Sequence, residues 1–196
     1  MEAKQKENEP KKPKNSAFRI GIIVDDNFKN IAYYNDQFRK INKCYKHRVE
    51  LLFIGGNPEN KKFSKAVEGV DYKYVKPVSL VHFYKQYSAN EIDLLFIPLI
   101  KSNQNYISED FNKFTDAGLF KIPSMVVNIY PYNKIITNDL DGFVYNDKVD
   151  FYEYLKDLLL NRLAVVKLCG NNAYEKTLKQ FNYSPEHIER LSEVFS

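Results

Sequence analysis

Tryptophan is absent from this 196-residue chain, and cysteine and histidine are rare, with two and three copies. Cys44 and Cys169 stand far apart, so neither a disulfide framework nor a cysteine metal site follows from the sequence. Both fall in helical patterns and are expected as buried free thiols in a reducing compartment. His47, His82 and His187 are widely separated and lack partners at metal or catalytic-triad spacing. His82 lies in an amphipathic stretch and reads as structural. No metal and no cofactor are expected. Neither a nucleophile elbow nor a P-loop is present, and Gly55-Gly56 lacks the GK[ST] ending of the latter. No apolar run approaches the roughly 20 residues that cross a bilayer. The charged start MEAKQKENEPKKPK is not a signal peptide. The expected compartment is the cytoplasm.

Charge is also close to balance. The chain carries 29 Lys and Arg against 25 Asp and Glu, net +4. Residues 1–16 hold half of that excess, so the remainder is nearly neutral. This argues against a nucleic-acid binder, which concentrates basic residues on one face. Residues 1–16 are Lys, Glu, Asn and Pro with almost nothing apolar, and are expected as a disordered tail or linker ahead of a domain over 17–196. Their mixed charges limit membrane contact to a peripheral one. Tyr and Phe are plentiful, 15 and 14, and read as compositional bias.

The apolar pattern alternates between strand and helix periods. Phe18–Val24 reads as a strand closed by Asp25-Asp26-Asn27. One helix is expected from Phe28 to Lys46, because Ile31, Tyr34, Phe38, Ile41 and Tyr45 recur at three- and four-residue spacing. Arg48–Ile54 is the next strand, ended by the turn Gly55-Gly56-Asn57-Pro58. A short helix over Asn60–Glu68, a strand over Tyr72–Val75 and a helix from Ser79 to Ala89 follow. The apolar run Ile92–Ile100 leads through a polar loop, Lys101–Ser108, to a helix over Phe111–Phe120 and a strand at Met125–Val127. Phe143–Tyr145 is a short strand. Asp147 reads as the cap of a helix through Leu160, and helices over Arg162–Phe181 and Pro185–Phe195 complete the chain.

Such alternation predicts an α/β fold: a doubly wound, Rossmann-like parallel sheet in one domain with extra C-terminal helices. Ligands of these sheets bind beyond the carboxyl ends of the strands. The turns at Asp25-Asp26, Gly55-Gly56 and Lys101–Ser108 are therefore expected on one edge, flanking a ligand.

The spacing Lys113-x-x-Asp116-x-Gly118-x-x-x-x-Pro123, a strand, then Tyr132-x-x-x-Ile136 and Asp141-Gly142-Phe143 resembles the donor-binding half of GT-B glycosyltransferases, in particular the retaining, family 4-like (group 1) members. The resemblance is clearest over residues 92–181. It implies that Asp116 accepts hydrogen bonds from the ribose hydroxyls of a nucleotide-sugar, where the family usually has Glu. A carboxylate suits a vicinal diol because it only accepts and takes two donors. Eight residues earlier, where the family often has a sugar-binding Glu, stands Ser108, which also caps the following helix.

The remaining candidates keep two readings each. Lys113 either anchors a phosphate or Asp116, or is an exposed helix lysine. Gly55-Gly56 either approaches the donor or only makes a tight turn. Tyr132 either lines the donor or acceptor cleft from a loop, or packs against the sheet edge. Gly142 serves a turn. At the two places where backbone amides could hold a diphosphate stand Asp25, Asp26, Glu109 and Asp110. At about 4 Å and an effective dielectric of about 20, one like-charge contact costs roughly 4 kcal/mol. Lys29, Lys101 and Lys134 offset this if they point inward.

The resemblance implies the donor-binding part of a glycosyltransferase acting on surface polysaccharide or another glycan, with a UDP- or GDP-linked sugar as ligand. A GT-B enzyme has two Rossmann-like halves and this chain has room for one, so an acceptor-binding partner domain or a homo-oligomer is expected. The alternative is a degenerate, non-catalytic interaction subunit of the same fold. A receiver-like signalling domain is the third reading, from Asp25-Asp26. Pro98 ends the strand at which a receiver carries its phosphorylated Asp.

Overall fold

The computed structural model describes residues 17–24, 28–55, 57–76, 91–101 and 111–181. In chain order these form β1 (Phe18–Ile23), α1 (Phe28–Tyr33), α2 (Asn35–Tyr45), β2 (Val49–Ile54), α3 (Lys61–Ala66), β3 (Lys73–Val75), β4 (Leu94–Ile97), α4 (Asn112–Leu119), β5 (Ser124–Val127), α5 (Tyr132–Ile135), β6 (Gly142–Tyr145), α6 (Lys148–Asn161) and α7 (Leu163–Gln180). The strands form one sheet in the order β3-β2-β1-β4-β5-β6, and every described pairing is parallel. This is the doubly wound α/β architecture the alternation predicts. The expected tail over 1–16 and the expected helices at Ser79–Ala89 and Pro185–Phe195 lie outside the described residues.

Every residue of β4 and β5 is buried. That is why both strands read as continuous apolar runs rather than alternating ones. Right-handed crossovers place α2 and α4 on opposite faces, because the chain moves leftward from β1 to β2 and rightward from β4 to β5. One face is closed by aromatic rings. Phe38 packs edge-on against Phe53 and Phe96 with centroids 5.9 and 5.8 Å apart, and Phe96 meets Phe151 of α6 at 4.4 Å.

Four expectations change. The helix expected over 28–46 is broken at Tyr34, whose backbone leaves the helical range at φ −97°, ψ 4°. Its ring turns instead into the aromatic core, edge-on to Phe96 at 5.1 Å. The run Ile92–Ile100 is a strand only over its central four residues. Pro98 has no N–H for the ladder, and Leu99 N bonds back to Ile97 O at 3.0 Å. Tyr132 sits in the short helix α5 rather than in a loop. Of the thiols, Cys169 is buried, and burial pushes it up to about 11. Cys44, expected to be buried, is exposed, because it lies at the margin of the α2 stripe beside the Tyr152 hydroxyl.

On the other face, α7 lies almost in contact with the backbone that joins α4 to β5. A Cβ at Gly170 would stand 2.0 Å from Lys121 O. Lys121 is itself in the left-handed region (φ 58°), where it ends the turn after α4. At the amino edge of β6, Asp141 is 3% exposed. It accepts from Thr137 N at 2.9 Å and from Lys176 Nζ at 2.8 Å, and Lys176 also donates to Ile135 O. The Asp141-Gly142-Phe143 segment thus fastens α7 to β6 on the edge away from the carboxyl ends.

Gly170→Ala is expected to destabilise the fold by about 2–3 kcal/mol in urea melts. A mid-helix Gly→Ala ordinarily gains about 1 kcal/mol in propensity, and a 2.0 Å approach to backbone outweighs it. Asp141→Ala is expected to cost about 3 kcal/mol in the same assay, because it leaves a largely buried ammonium without its counter-charge.

Candidate functional site

All strands end on one edge, and the strand order reverses between β1 and β4. Such a reversal opens a crevice, because the crossovers on its two sides run to opposite faces. The segments leaving the strands there are Val24, Gly55, Pro98–Lys101, Asn128–Pro131 and Asn146-Asp147.

The floor of the crevice is held from below. Tyr145 OH donates to Tyr34 OH at 2.8 Å, and Tyr34 OH donates to the Leu99 carbonyl at 2.6 Å. Tyr34, Leu99 and Tyr145 are 1% exposed or less. Burial, and then the neighbouring Tyr34, push the Tyr145 phenol well above its ordinary value. The break between α1 and α2 is what aims Tyr34 at this carbonyl, so the path of Pro98–Lys101 is set by a side chain from another crossover.

At the end of β2, Gly55 adopts φ +83° and its N–H donates to Val75 O at 3.1 Å. A Cβ there would lie 3.3 Å from Val24 O. Only glycine takes this conformation without strain, and its lack of a side chain keeps the backbone open towards β1.

Lys101 is exposed at the far end of the β4 segment. It stands near Asp147, the cap of α6, which accepts from Val149 N at 2.8 Å and Asp150 N at 2.9 Å. Those backbone bonds, and then the Lys101 charge, hold the Asp147 carboxyl below its usual range. The Lys148 ammonium lies 5.1 Å from the centre of the Tyr33 ring. Lys29, in the first turn of α1, and Lys134, in α5, are exposed.

Lys113 falls in the first turn of α4, which begins at the carboxyl edge, and Asp116 lies about 6 Å further along the axis from Asn112. Phe114, Ala117 and Gly118 face the core, and both candidates are half-buried at the flank of that stripe, each engaged with neighbouring groups. Tyr132 is fully buried. It supports the Asn128–Pro131 segment from inside and does not line an open surface, because α5 turns its ring into the core. Ser108, Gly56, Asp25, Asp26, Glu109 and Asp110 lie outside the described residues. The structure therefore brings Gly55, Lys101 and the start of α4 to one edge and withdraws Tyr132 from it. Among the described residues, no group of three or more His, Cys, Asp and Glu is placed to hold a metal ion, and no helix is long and apolar enough to cross a membrane.

Sequence reasoning missed three groups at this edge: the Tyr34–Tyr145 pair, Lys148, and the asparagines that follow β5 and β6. Tyr34 read simply as a member of an apolar stripe and Tyr145 as the end of a short strand, and a hydroxyl at an apolar position next to a strand end was the available signal.

No family model matches the sequence, and no curated protein does. Solved structures do match. Anabaena HepE in complex with UDP and glucose superposes with a TM-score of 0.69 at 11% identity, over 92% of this chain and 49% of that one. WaaG, a glycosyltransferase involved in lipopolysaccharide biosynthesis, gives 0.68 at 16% identity over 92% and 47%. The C-terminal domain of a glycosyl transferase group 1 family protein from Francisella tularensis gives 0.62 at 15% identity, over 85% of this chain and 87% of that domain. The chain thus has the fold of the C-terminal half of GT-B glycosyltransferases, and spans about half the length of the full enzymes it matches.

Tyr34→Phe is expected to cost about 1–3 kcal/mol, since it strands the buried Leu99 carbonyl and the Tyr145 hydroxyl together. Tyr145→Phe should cost less, because Tyr34 keeps its acceptor. Alkaline titration gives a second test. A phenol whose folded value is raised contributes stability that is complete below its unfolded value, near 10, and is lost as pH rises further. Stability is expected to fall above pH ~10, and more gently in Tyr145→Phe, as measured by urea midpoints across that range.

Proposed function

We propose that residues 17–196 form the nucleotide-sugar-binding half of a glycosyltransferase acting on a glycan such as a surface polysaccharide. The observation that carries this reading is the crevice at the β1/β4 reversal, with the start of α4 beside it, in a fold shared with a protein crystallised with UDP and glucose. In this reading Asp116 accepts the ribose hydroxyls, Lys113 and Lys101 face the diphosphate, and the bare backbone of Gly55 allows close approach. Ser108 faces the transferred sugar, as the resemblance implies. Backbone amides and lysines stabilise the charge that grows on the leaving diphosphate, without a metal. An acceptor-binding half, supplied by a partner domain or a second copy, closes over the carboxyl edge.

The non-catalytic reading has its own support. Asp25, Asp26, Glu109 and Asp110 flank the phosphate positions in sequence, and Lys101 is close enough to Asp147 to perturb it. A cation shared with a carboxylate is less available to a phosphate.

Titration calorimetry with UDP, a UDP-sugar and the corresponding GDP pair separates the two. Asp116→Ala is expected to lose about 1.5–3 kcal/mol of nucleotide affinity, roughly a 10- to 150-fold rise in Kd, with little change in stability. Should the wild-type chain bind none of these at millimolar concentration, the interaction-module reading replaces this one.

A further inference from the structure

The carboxyl ends of β5 and β6 carry polar groups to which the reading above gives no role. Asn128 and Asn146 are the first residues after these strands, and Asn133 lies in α5. Asn146 donates to Asp150 Oδ2 twice, from Nδ2 at 3.1 Å and from its backbone N–H at 2.7 Å. A carboxylate only accepts, so the amide nitrogen of Asn146 faces Asp150 and its Oδ1 faces away. That Oδ1 accepts from Asn128 Nδ2 at 3.3 Å, and Asn128 Oδ1 accepts from Asn133 Nδ2 at 3.1 Å. One carboxylate therefore fixes the orientation of three side-chain amides in series.

The relay is not used up by its own bonds. Each amide keeps a second N–H, and Asn133 Oδ1 has no hydrogen-bond partner among the described residues. Asn133 and Asn146 are exposed. Tyr130 sits between Asn128 and Asn133 in the chain and is 57% exposed, so the segment that carries two of the amides also offers an open aromatic side chain. Neither lysine nor arginine joins the relay, and its one carboxylate is already engaged.

We propose that Asn128, Asn133, Asn146 and Tyr130 form a subsite for an uncharged saccharide ring. A sugar offers hydroxyls that both donate and accept, which match amides, and a C–H face that suits the electron-rich face of a phenol ring. Among the described residues the relay itself presents amides and no cation, so it matches hydroxyls in both directions. UDP in the titration tests whether the neighbouring Lys134 and Lys148 draw a phosphate there instead. The inference rests on the glycosyltransferase reading for its class of ligand only. The sugar belongs either to the donor or to the acceptor.

The test is nuclear magnetic resonance of the ¹⁵N-labelled full chain, following the side-chain amide pairs of the three asparagines. Glucose, galactose and mannose are titrated alone, and UDP and UDP-glucose in parallel. A neutral sugar is expected to shift all three pairs, and UDP to leave them in place. If UDP-glucose also shifts them at lower concentration than glucose, the sugar is the donor's; if only the unlinked sugars do, it is the acceptor's. Asn133→Leu and Tyr130→Ala, both at exposed positions, should each raise the sugar Kd about three- to tenfold with the melting temperature unchanged. A relay with a merely structural role would instead show a lowered melting temperature in Asn133→Leu and no sugar-dependent shift. Absence of shifts with every saccharide, or variants that bind as wild type does, would overturn the proposal. Absence of any response to UDP in the backbone amides of the same spectra, with the sugar shifts of the asparagine pairs retained, counts against the donor site alone.

Discussion

A single phenol decides the geometry of the crevice. Where β4 ends, the chain leaves the sheet at Pro98 and exposes a carbonyl, Leu99 O, to the apolar interior. Without a donor that carbonyl would cost about 1–3 kcal/mol. Tyr34 supplies the donor at 2.6 Å. To reach it the chain breaks a helix that the apolar stripe would otherwise continue, and Tyr145 from β6 completes the pair. Two crossovers therefore meet at one carbonyl, backed by a strand residue, and the segment that leads to Lys101 is placed by that meeting. The cost of one interrupted helix is offset by a ring that also packs on Phe96, Phe38 and Phe151.

The two edges of the sheet divide the chemistry. The amino edge is fastened by groups whose charges are matched within the fold: Asp141 with Lys176, and Arg19 with Glu50 and Glu91. The carboxyl edge is looser in charge. Lys29, Lys101 and Lys134 are exposed there, and the asparagines hold one another through neutral amides hung from a single carboxylate, Asp150. A neutral amide leaves donors and acceptors for a visitor at little desolvation cost, whereas a matched ion pair does not. The polar inventory of an edge thus follows whether it must stay closed.

A close approach on the far face serves the same end. Gly170 lets α7 settle against the turn at Lys121, which fixes where α4 ends and so where the Lys113 and Asp116 turns lie relative to the sheet. Positions that touch no ligand govern the site through the placement of α4.

The doubly wound class was legible in the chain itself, because a strand buried on both faces must read as an apolar run and a covering helix must carry a stripe. Ile20–Ile22, Leu51–Ile54 and Leu94–Ile97 did so, and Asp147 announced the helix it caps. The edge on which Gly55 and Lys101 stand was legible for the same reason, since parallel strands end together. Tertiary structure alone decided the rest. The stripe through Tyr34 cannot reveal that its hydroxyl will answer a carbonyl 65 residues away and break the helix. Tyr132 sits in a Tyr-x-x-x-Ile spacing that fits a cleft or a core equally well, and only the turn of α5 sends it inward. Asn128, Asn133 and Asn146 are ordinary polar residues until parallel pairing of β5 with β6 sets two strand ends side by side. Periodicity reports which face of an element is apolar. It carries no information about which polar group of a distant element will stand opposite, because that depends on strand order and crossover, which local sequence does not encode.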